Sequence, residues 1–265
     1  MRIIDGSAIA EKKLGELAKR VQGHRVHLAA VLVGEDPGLK KFVELKKKAA
    51  ESIGIQFSTY QFSEAQAEEV KETLRWLSED ETIQGVLVEL PLPPSYNTQD
   101  ILNRVPTKKD VDVLSSDLQA DYYAGKETLG APAVGALQEV FRNYDINPKG
   151  KKIAVFGQGM LVGKPISYWL KRQGAEVFEI DINTLNPKRY SLEADILISG
   201  VGKADLITED MVKDGAVVID YGFPSGDVDV ASVSKKALLI TPVPGGMGPL
   251  VIAAVLENLV ISAGL

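Results

Sequence analysis

The sequence contains no cysteine and only two histidines, His24 and His27. The absence of cysteine excludes a disulfide framework, a thiol nucleophile and a cysteine-ligated zinc site. A Ser-His-Asp triad would have to recruit one of the two histidines. Both sit in a short segment entering a predicted strand, so that chemistry is set aside as well. No apolar run approaches the ~18 residues that a transmembrane helix needs, and no membrane partner is expected. The opening MRIIDGSAIAEKKL has no apolar signal-peptide core and carries acidic residues early, which predicts a cytoplasmic protein. Basic residues are outnumbered too: 30 Lys+Arg against 36 Asp+Glu give a net charge of −6. With no basic stripe to compensate, no nucleic-acid partner is expected. What is present is ordinary for a soluble enzyme or binding protein, 45% hydrophobic and 25% charged residues. A chain of 265 residues holds one large domain or two modest ones at about 150 residues each.

Residues 7–22 alternate as an amphipathic helix, with Ser7 as its cap. HLAAVLVG (27–34) reads as a buried strand, EDPG as a turn, and 38–53 as a helix closed by Gly54. IQFSTYQF is a strand, 64–78 a helix, GVLVELPLP (85–93) a strand broken by Pro91 and Pro93, and 97–104 a short helix. Residues 106–132 have weak periodicity and many turn formers, and read as a long functional loop or interdomain crossing. A helix at 133–144 leads to a second series, with strands in IAVFG, AEVFEID, ADILISG, GAVVIDYG and ALLITPVPG and a last helix at 249–262. Such alternation predicts an α/β protein of two parallel-sheet domains. The second is Rossmann-type, and the C-terminal helix returns to the first. The expected division is 1–115 plus 249–265 against 116–248.

Gly157-Gln158-Gly159 and Val162-Gly163 lie between a predicted strand and a predicted helix. Glycines there let the backbone approach a pyrophosphate, and the helix N-terminus supplies free N–H groups. The spacing is GxGxxxG rather than GxGxxG, and a plain tight βα turn remains the alternative. Asp181 ends the next strand, 24 residues after Gly157, where an acidic residue would bond the ribose 2′-hydroxyl of NAD and repel the extra phosphate of NADP. An ordinary strand-end aspartate is equally compatible. Gly200 and Gly202 end a later strand and Pro244-Gly245-Gly246 another. Both loops suit close approach to a cofactor or a flat ligand, the alternative for the second being a stiff joining turn.

The 38–53 helix carries Lys40, Lys41, Lys46, Lys47 and Lys48. At about 100° per residue, Leu39, Phe42, Val43, Ala50 and Ile53 share one stripe. Lys46 alone of the lysines falls inside it. A lysine there either snorkels outward or lines a cleft, where desolvation suits it to acid–base work. Phe42, one turn earlier, is placed to stack on a ring-shaped substrate.

Several segments together resemble the bifunctional methylenetetrahydrofolate dehydrogenase/cyclohydrolase family: IIDGSAIA, VGEDPGLKKFVELKKKAAESIGI, GVLVELPLP, PTKKDVDV, VFGQGMLVGKP, VIDYGFPSGDVD and TPVPGGMGPL. The likeness runs from end to end. It implies an enzyme of one-carbon metabolism and purine biosynthesis, a cytoplasmic homodimer without a metal. Such an enzyme oxidises 5,10-methylenetetrahydrofolate to the 5,10-methenyl form with NAD or NADP, then hydrolyses it to 10-formyltetrahydrofolate. By motif position Lys46 matches the family's catalytic lysine and Asp112 the residue that binds the pterin. Phe42 and Pro244-Gly245-Gly246 are the further expected substrate contacts. Four departures stand out. Phe42 replaces a tyrosine, and Glu89 a glutamine of the catalytic group. Gln158-Gly159 replace an Arg-Ser pair suited to the 2′-phosphate of NADP, and Val113 replaces the glycine of KDVDG. Residues 131–135, APAVG, also depart from the family's P-C-T-P-x-G. If Glu89 lies beside Lys46, an ion pair would hold the lysine as ammonium, a poor base for activating water. Hydrolysis would weaken, while hydride transfer, which needs mainly positioning, would suffer less. A buried Glu89 taking up the proton itself is the alternative behaviour of such a pair. Asp181 and Gln158-Gly159 together favour NAD. The readings that result are the bifunctional enzyme with full or reduced hydrolysis, a cyclohydrolase-deficient NAD-dependent dehydrogenase, an NAD-dependent dehydrogenase that keeps the fold but uses another small substrate, or a silent folate- or nucleotide-binding protein. The presence of both Lys46 and Asp112 argues against the last.

Overall fold

A computed structural model describes residues 1–126 and 129–265. In chain order its elements are β1 (Arg2–Ile3), α1 (Gly6–Val21), β2 (His27–Val33), α2 (Pro37–Ser52), β3 (Gln56–Phe62), α3 (Ala67–Glu79), β4 (Gly85–Val88), α4 (Thr98–Leu102), α5 (Ser116–Tyr123) and α6 (Pro132–Asn143). There follow β5 (Lys152–Phe156), α7 (Gly163–Arg172), β6 (Glu176–Ile180), α8 (Pro187–Glu193), β7 (Ile196–Ser199), β8 (Val217–Asp220), α9 (Val230–Val233), β9 (Leu239–Ile240) and α10 (Met247–Ser262). The chain forms two compact units, residues 12–132 with 252–265 and residues 1–11 with 133–251. The sequence pattern changes over at 115/116 and 248/249 instead. Among the described residues no helix is long and apolar enough to cross a membrane.

The unit containing residues 12–132 is built on a parallel three-stranded sheet in the order β3-β2-β4. The central strand β2, HLAAVLV, is buried along nearly its whole length, as expected of an unbroken apolar run covered on both faces. Its core joins Leu28, Leu32, Val43, Ala50 and Leu87 to Val255, Leu256 and Leu259 of α10. The C-terminal helix therefore completes this unit. A methyl carbon on Gly85 would lie 2.6 Å from Leu259 Cδ1, which is why β4 begins on a glycine. Asn258 Nδ2 donates to the carbonyls of Val111 and Gly130, both at 2.8 Å. The stretch 106–132 is not all loop: α5 forms within it on the N-cap Ser115, while residues 127 and 128 lie outside the described ones. Its apolar positions are too few for a helical period, and tertiary contacts at Leu118 and Tyr122 select the helix.

The other unit holds a six-stranded, wholly parallel sheet in the order β1-β9-β8-β7-β5-β6. Its core includes Ala154, Phe156, Leu197, Val218 and Ile240. Strand β1 is only two residues long, too short to show a period, so pairing with β9 alone defines it. The cap of α1 also differs from the sequence expectation. Asp5 Oδ1 accepts from the Ala8 amide at 3.0 Å. Ser7 is already helical and donates its own amide to the Gly245 carbonyl at 3.0 Å. Because all strands are parallel, the loops after β5, β6, β7 and β8 leave the same edge, the edge at which ligands bind in such sheets.

Candidate active site

Helix α2 starts where the sequence dictates. Asp36 Oδ1 accepts from the Leu39 amide at 2.8 Å and Pro37 occupies the first turn. This phase buries Val43, Lys46 and Ala50 on one face. Strand β4 extends its pairing one residue further, the Glu89 amide donating to the Val31 carbonyl at 2.9 Å. That fixes Glu89 opposite the helix. Lys46 Nζ donates to both Glu89 oxygens, at 2.7 and 2.8 Å, and the side chains are only 5% and 3% exposed. The Lys46 ammonium also lies 4.7 Å from the Phe42 ring centroid, a cation–π contact of about 1 kcal/mol.

Asp112 completes the cluster. It keeps part of its surface open, yet protein packs densely around its carboxyl, and the pKa is pushed up to about 6, chiefly by desolvation. Lys46 opposes that rise, and Glu89 and Asp110 add to it. The rest of the KDVD motif builds the turn that displays Asp112, a role the sequence did not reveal. Lys109 is buried and donates Nζ to the carbonyls of Leu77 (2.8 Å) and Asp80 (2.6 Å), closing the end of α3. Burial lowers its pKa, with Lys108 adding to the effect. Asp110 Oδ2 accepts from the amides of Leu114 (2.9 Å) and Ser115 (2.6 Å). Val113, next to Asp112, sits at φ +60°, a conformation that β-branched side chains strongly resist. The available signal was two charged residues in a motif flanked by apolar positions, which reads equally well as a solvated turn.

In the other unit, Gly157, Gly163 and Gly200 interlock. A methyl carbon on Gly163 would lie 1.6 Å from the Gly157 carbonyl oxygen, one on Gly157 2.7 Å from the Gly200 oxygen, and one on Gly200 2.6 Å from Val162 Cγ1. These three glycines are required by the fold itself. Gly159 and Gly202 differ, since a methyl carbon on either meets nothing within 4 Å. Gln158 turns inward, donating Nε2 to the Val155 carbonyl at 3.0 Å and accepting from Ser167 Oγ at 3.3 Å. Asp181 is exposed, and its Oδ1 accepts from the Asn183 amide (2.9 Å) and Thr184 Oγ1 (3.0 Å), closing its own turn. At Gly245-Gly246 the close backbone approach is to the chain itself: a methyl carbon on Gly6 would lie 1.9 Å from the Gly246 oxygen. Pro244, Gly245 and Gly246 belong to this unit, whereas Phe42, Lys46, Glu89 and Asp112 belong to the unit containing residues 12–132.

Family models match both parts of the chain. Residues 4–112 match the tetrahydrofolate dehydrogenase/cyclohydrolase catalytic domain, and residues 131–264 match the NAD(P)-binding domain of the same family. This chain belongs to the tetrahydrofolate dehydrogenase/cyclohydrolase family. Bifunctional protein FolD of Nautilia profundicola is 39% identical over 99% of this chain and 97% of its own length. The crystal structure of the FolD methylenetetrahydrofolate dehydrogenase/cyclohydrolase from Campylobacter jejuni superposes with a TM-score of 0.94 at 34% identity, covering 100% of this chain and 99% of that one. A Trypanosoma brucei dehydrogenase-cyclohydrolase, solved with NADP and an inhibitor, gives 0.93 at 27% identity, covering 98% and 96%.

The residues present fit the nicotinamide nucleotide that the family model names. Helix α7 begins at Gly163 with no side-chain cap. The Lys164 amide donates to the Gly159 carbonyl at 3.1 Å and Pro165 has no N–H, so the Gly163 amide and the positive end of the helix dipole are what face an anionic pyrophosphate. Open space above Gly159 lies beside them. Among the described residues no group of three His, Cys, Asp or Glu is arranged to hold a metal ion.

Proposed function

We propose that this chain oxidises 5,10-methylenetetrahydrofolate to the 5,10-methenyl form, using NAD in preference to NADP, and hydrolyses that product to 10-formyltetrahydrofolate only weakly. The observation that carries the reading is the buried contact of Lys46 with both oxygens of Glu89. In this reading the unit built on β2–β4 takes the folate and the unit built on β5–β9 takes the nucleotide. Residues 157–163, 200 and 202 hold the nucleotide, with Asp181 on its ribose. When bound, the nicotinamide supplies the hydride acceptor.

What the chain supplies is position and charge. Asp112 accepts N–H donors of the pterin through its carboxylate. Phe42 offers a ring face. Of the three Lys46 hydrogens, two are engaged by Glu89 and one remains to donate toward the folate. An ammonium so held cannot take a proton from water, which is the step hydrolysis needs. Hydride transfer needs no base at that position, only orientation of the one-carbon unit. A carboxylate at Asp181 disfavours a 2′-phosphate by charge, and the inward Gln158 brings no cation to attract one. The family resemblance supports a cytoplasmic homodimer.

Steady-state turnover of methylenetetrahydrofolate with NAD and with NADP tests the first step, and a separate methenyl-hydrolysis assay tests the second. Reduction of neither nucleotide would refute the dehydrogenase. Equal or better use of NADP would remove the role given to Asp181. Glu89→Gln is expected to raise hydrolysis about tenfold or more, since one proton-transfer group is typically worth 10²–10⁴-fold. An unchanged hydrolysis rate would sink the ion-pair explanation.

A further inference from the structure

The segment YGFPSGDVD after β8 contains a carboxylate with no part in the proposed chemistry. Asp227 is completely buried. Its Oδ2 accepts from Ser199 Oγ and from the Val201 amide, both at 2.7 Å, and its Oδ1 accepts from the Lys203 amide at 2.8 Å. All three donors belong to the segment that leaves the end of β7. Asp227 is itself held from behind. Its amide donates to Asp220 Oδ1 at 3.1 Å, and its carbonyl accepts from the Ile207 amide at 2.9 Å. Asp220, also buried, accepts further from the amides of Gly222 (2.7 Å) and Val228 (3.0 Å). The loop wraps so closely that a methyl carbon on Gly226 would lie 2.6 Å from Asp220 Oδ2.

On its other side the 199–203 segment rests on the glycine turn after β5, through Gly200 against Val162 and Gly157. Gly202, at φ +74° with nothing within 4 Å of a methyl carbon, leaves its backbone open at the ligand-binding edge of the sheet. A buried carboxylate bonded to neutral donors is costly in a merely structural place, but its charge-assisted bonds are about twice as strong as neutral ones. They hold the amides of Val201 and Lys203, while the Gly200 amide is held by the Phe156 carbonyl at 3.0 Å.

We propose that Asp227 is a positioning residue for nucleotide binding: it fixes residues 200–203 in the shape against which the dinucleotide lies. The inference rests on the nucleotide assignment made above. Asp227→Asn keeps the size but not the acceptors. Whichever way the amide sits, its NH₂ faces the amide hydrogen of either Val201 or Lys203. Ser199→Ala removes one donor and leaves the carboxylate.

The test is direct binding of NADH, followed by fluorescence without folate, together with KM for nucleotide, KM for folate and kcat. Expected for Asp227→Asn is a nucleotide Kd and KM raised about tenfold or more, the cost of a lost charge-assisted bond. Its folate KM should stay within about twofold, and kcat at saturating nucleotide should fall less than KM rises. Ser199→Ala should move the nucleotide constants the same way by about two- to fivefold. A lowered melting temperature with unchanged nucleotide constants would overturn the positioning role. If Asp227→Asn fails to fold, Ser199→Ala decides alone, and unchanged nucleotide affinity there overturns it. A wild-type protein that binds neither NADH nor NADPH overturns the nucleotide assignment itself, whereas wild-type and Asp227→Asn proteins that bind the nucleotide equally overturn only the positioning role.

Discussion

Val113 offers a sharp test of how the Asp112 turn is built. It adopts φ +60° although its side chain is 4% exposed. For an L-residue with a Cβ the left-handed region costs about 1–2 kcal/mol, and burial of the valine methyls offsets this by about 1.5–2 kcal/mol. Two variants separate the terms. Val113→Ala loses about two buried methyl groups, about 1.6 kcal/mol, and keeps most of the strain. Val113→Gly loses a further methyl-sized group, about 0.8 kcal/mol, plus about 0.5–1 kcal/mol of chain entropy. In return it is relieved of the left-handed strain. At an ordinary backbone position glycine would therefore be the worse variant by roughly 1.5 kcal/mol. At φ +60° the two should agree to within about 0.5 kcal/mol. The chain has two tryptophans, and only Trp76 lies in the unit containing Val113. Urea unfolding followed by Trp76 fluorescence in a Trp169→Phe background reads that unit. A Val113→Gly protein less stable than Val113→Ala by more than about 1 kcal/mol would show that the turn is not strained.

The raised pKa of Asp112 has its own signature. A carboxyl shifted from 3.8 to about 6 favours the fold most below pH 3.8, and that contribution is lost as pH rises through about 6, by up to about 3 kcal/mol. The stability advantage of Asp112→Asn over wild type should therefore grow between pH 4 and 7, and a pH-independent difference in melting temperature would contradict it. Under the proposed role the folate KM should also fall as pH rises through about 6, because the carboxylate is the accepting form. Gly163→Ala and Gly159→Ala should part company. The first drives a methyl carbon into the Gly157 carbonyl and lowers both melting temperature and NADH affinity, while the second meets only open space and lowers NADH affinity alone. Lys109→Met removes a charged donor from the Leu77 and Asp80 carbonyls, the latter keeping the Ile83 amide, and should cost about 1–3 kcal/mol in urea titrations. A neutral result would mean that water caps α3 equally well.

Sequence periodicity located most elements because helices and strands repeat within a few residues. Lys46 stood out for that reason: one cation on an otherwise apolar stripe is visible at 100° per residue. Gly163 was visible as part of a strand–turn–helix pattern, but whether the fold or the ligand requires each glycine was not. Tertiary contact assigns Gly157, Gly163 and Gly200 to the fold and leaves Gly159 and Gly202 open. Gly245-Gly246, which looked built for a flat ligand, has Gly6 against it. Ser7 looked like a cap because capping residue types are interchangeable in a string, and geometry selects Asp5.

The amino-acid order by itself determined the two α/β series, the glycine turn after β5, the buried face of α2 and the family to which the chain belongs. These are all set by neighbours along the chain or by whole motifs. Only the tertiary structure decided that Lys46 meets Glu89 across 43 residues, that Lys109 closes α3, that Asp227 holds the segment after β7, and that two residues at the N-terminus extend the larger sheet. Each depends on which elements pack together. Chain entropy and burial settle that for the molecule as a whole, and no local period records it.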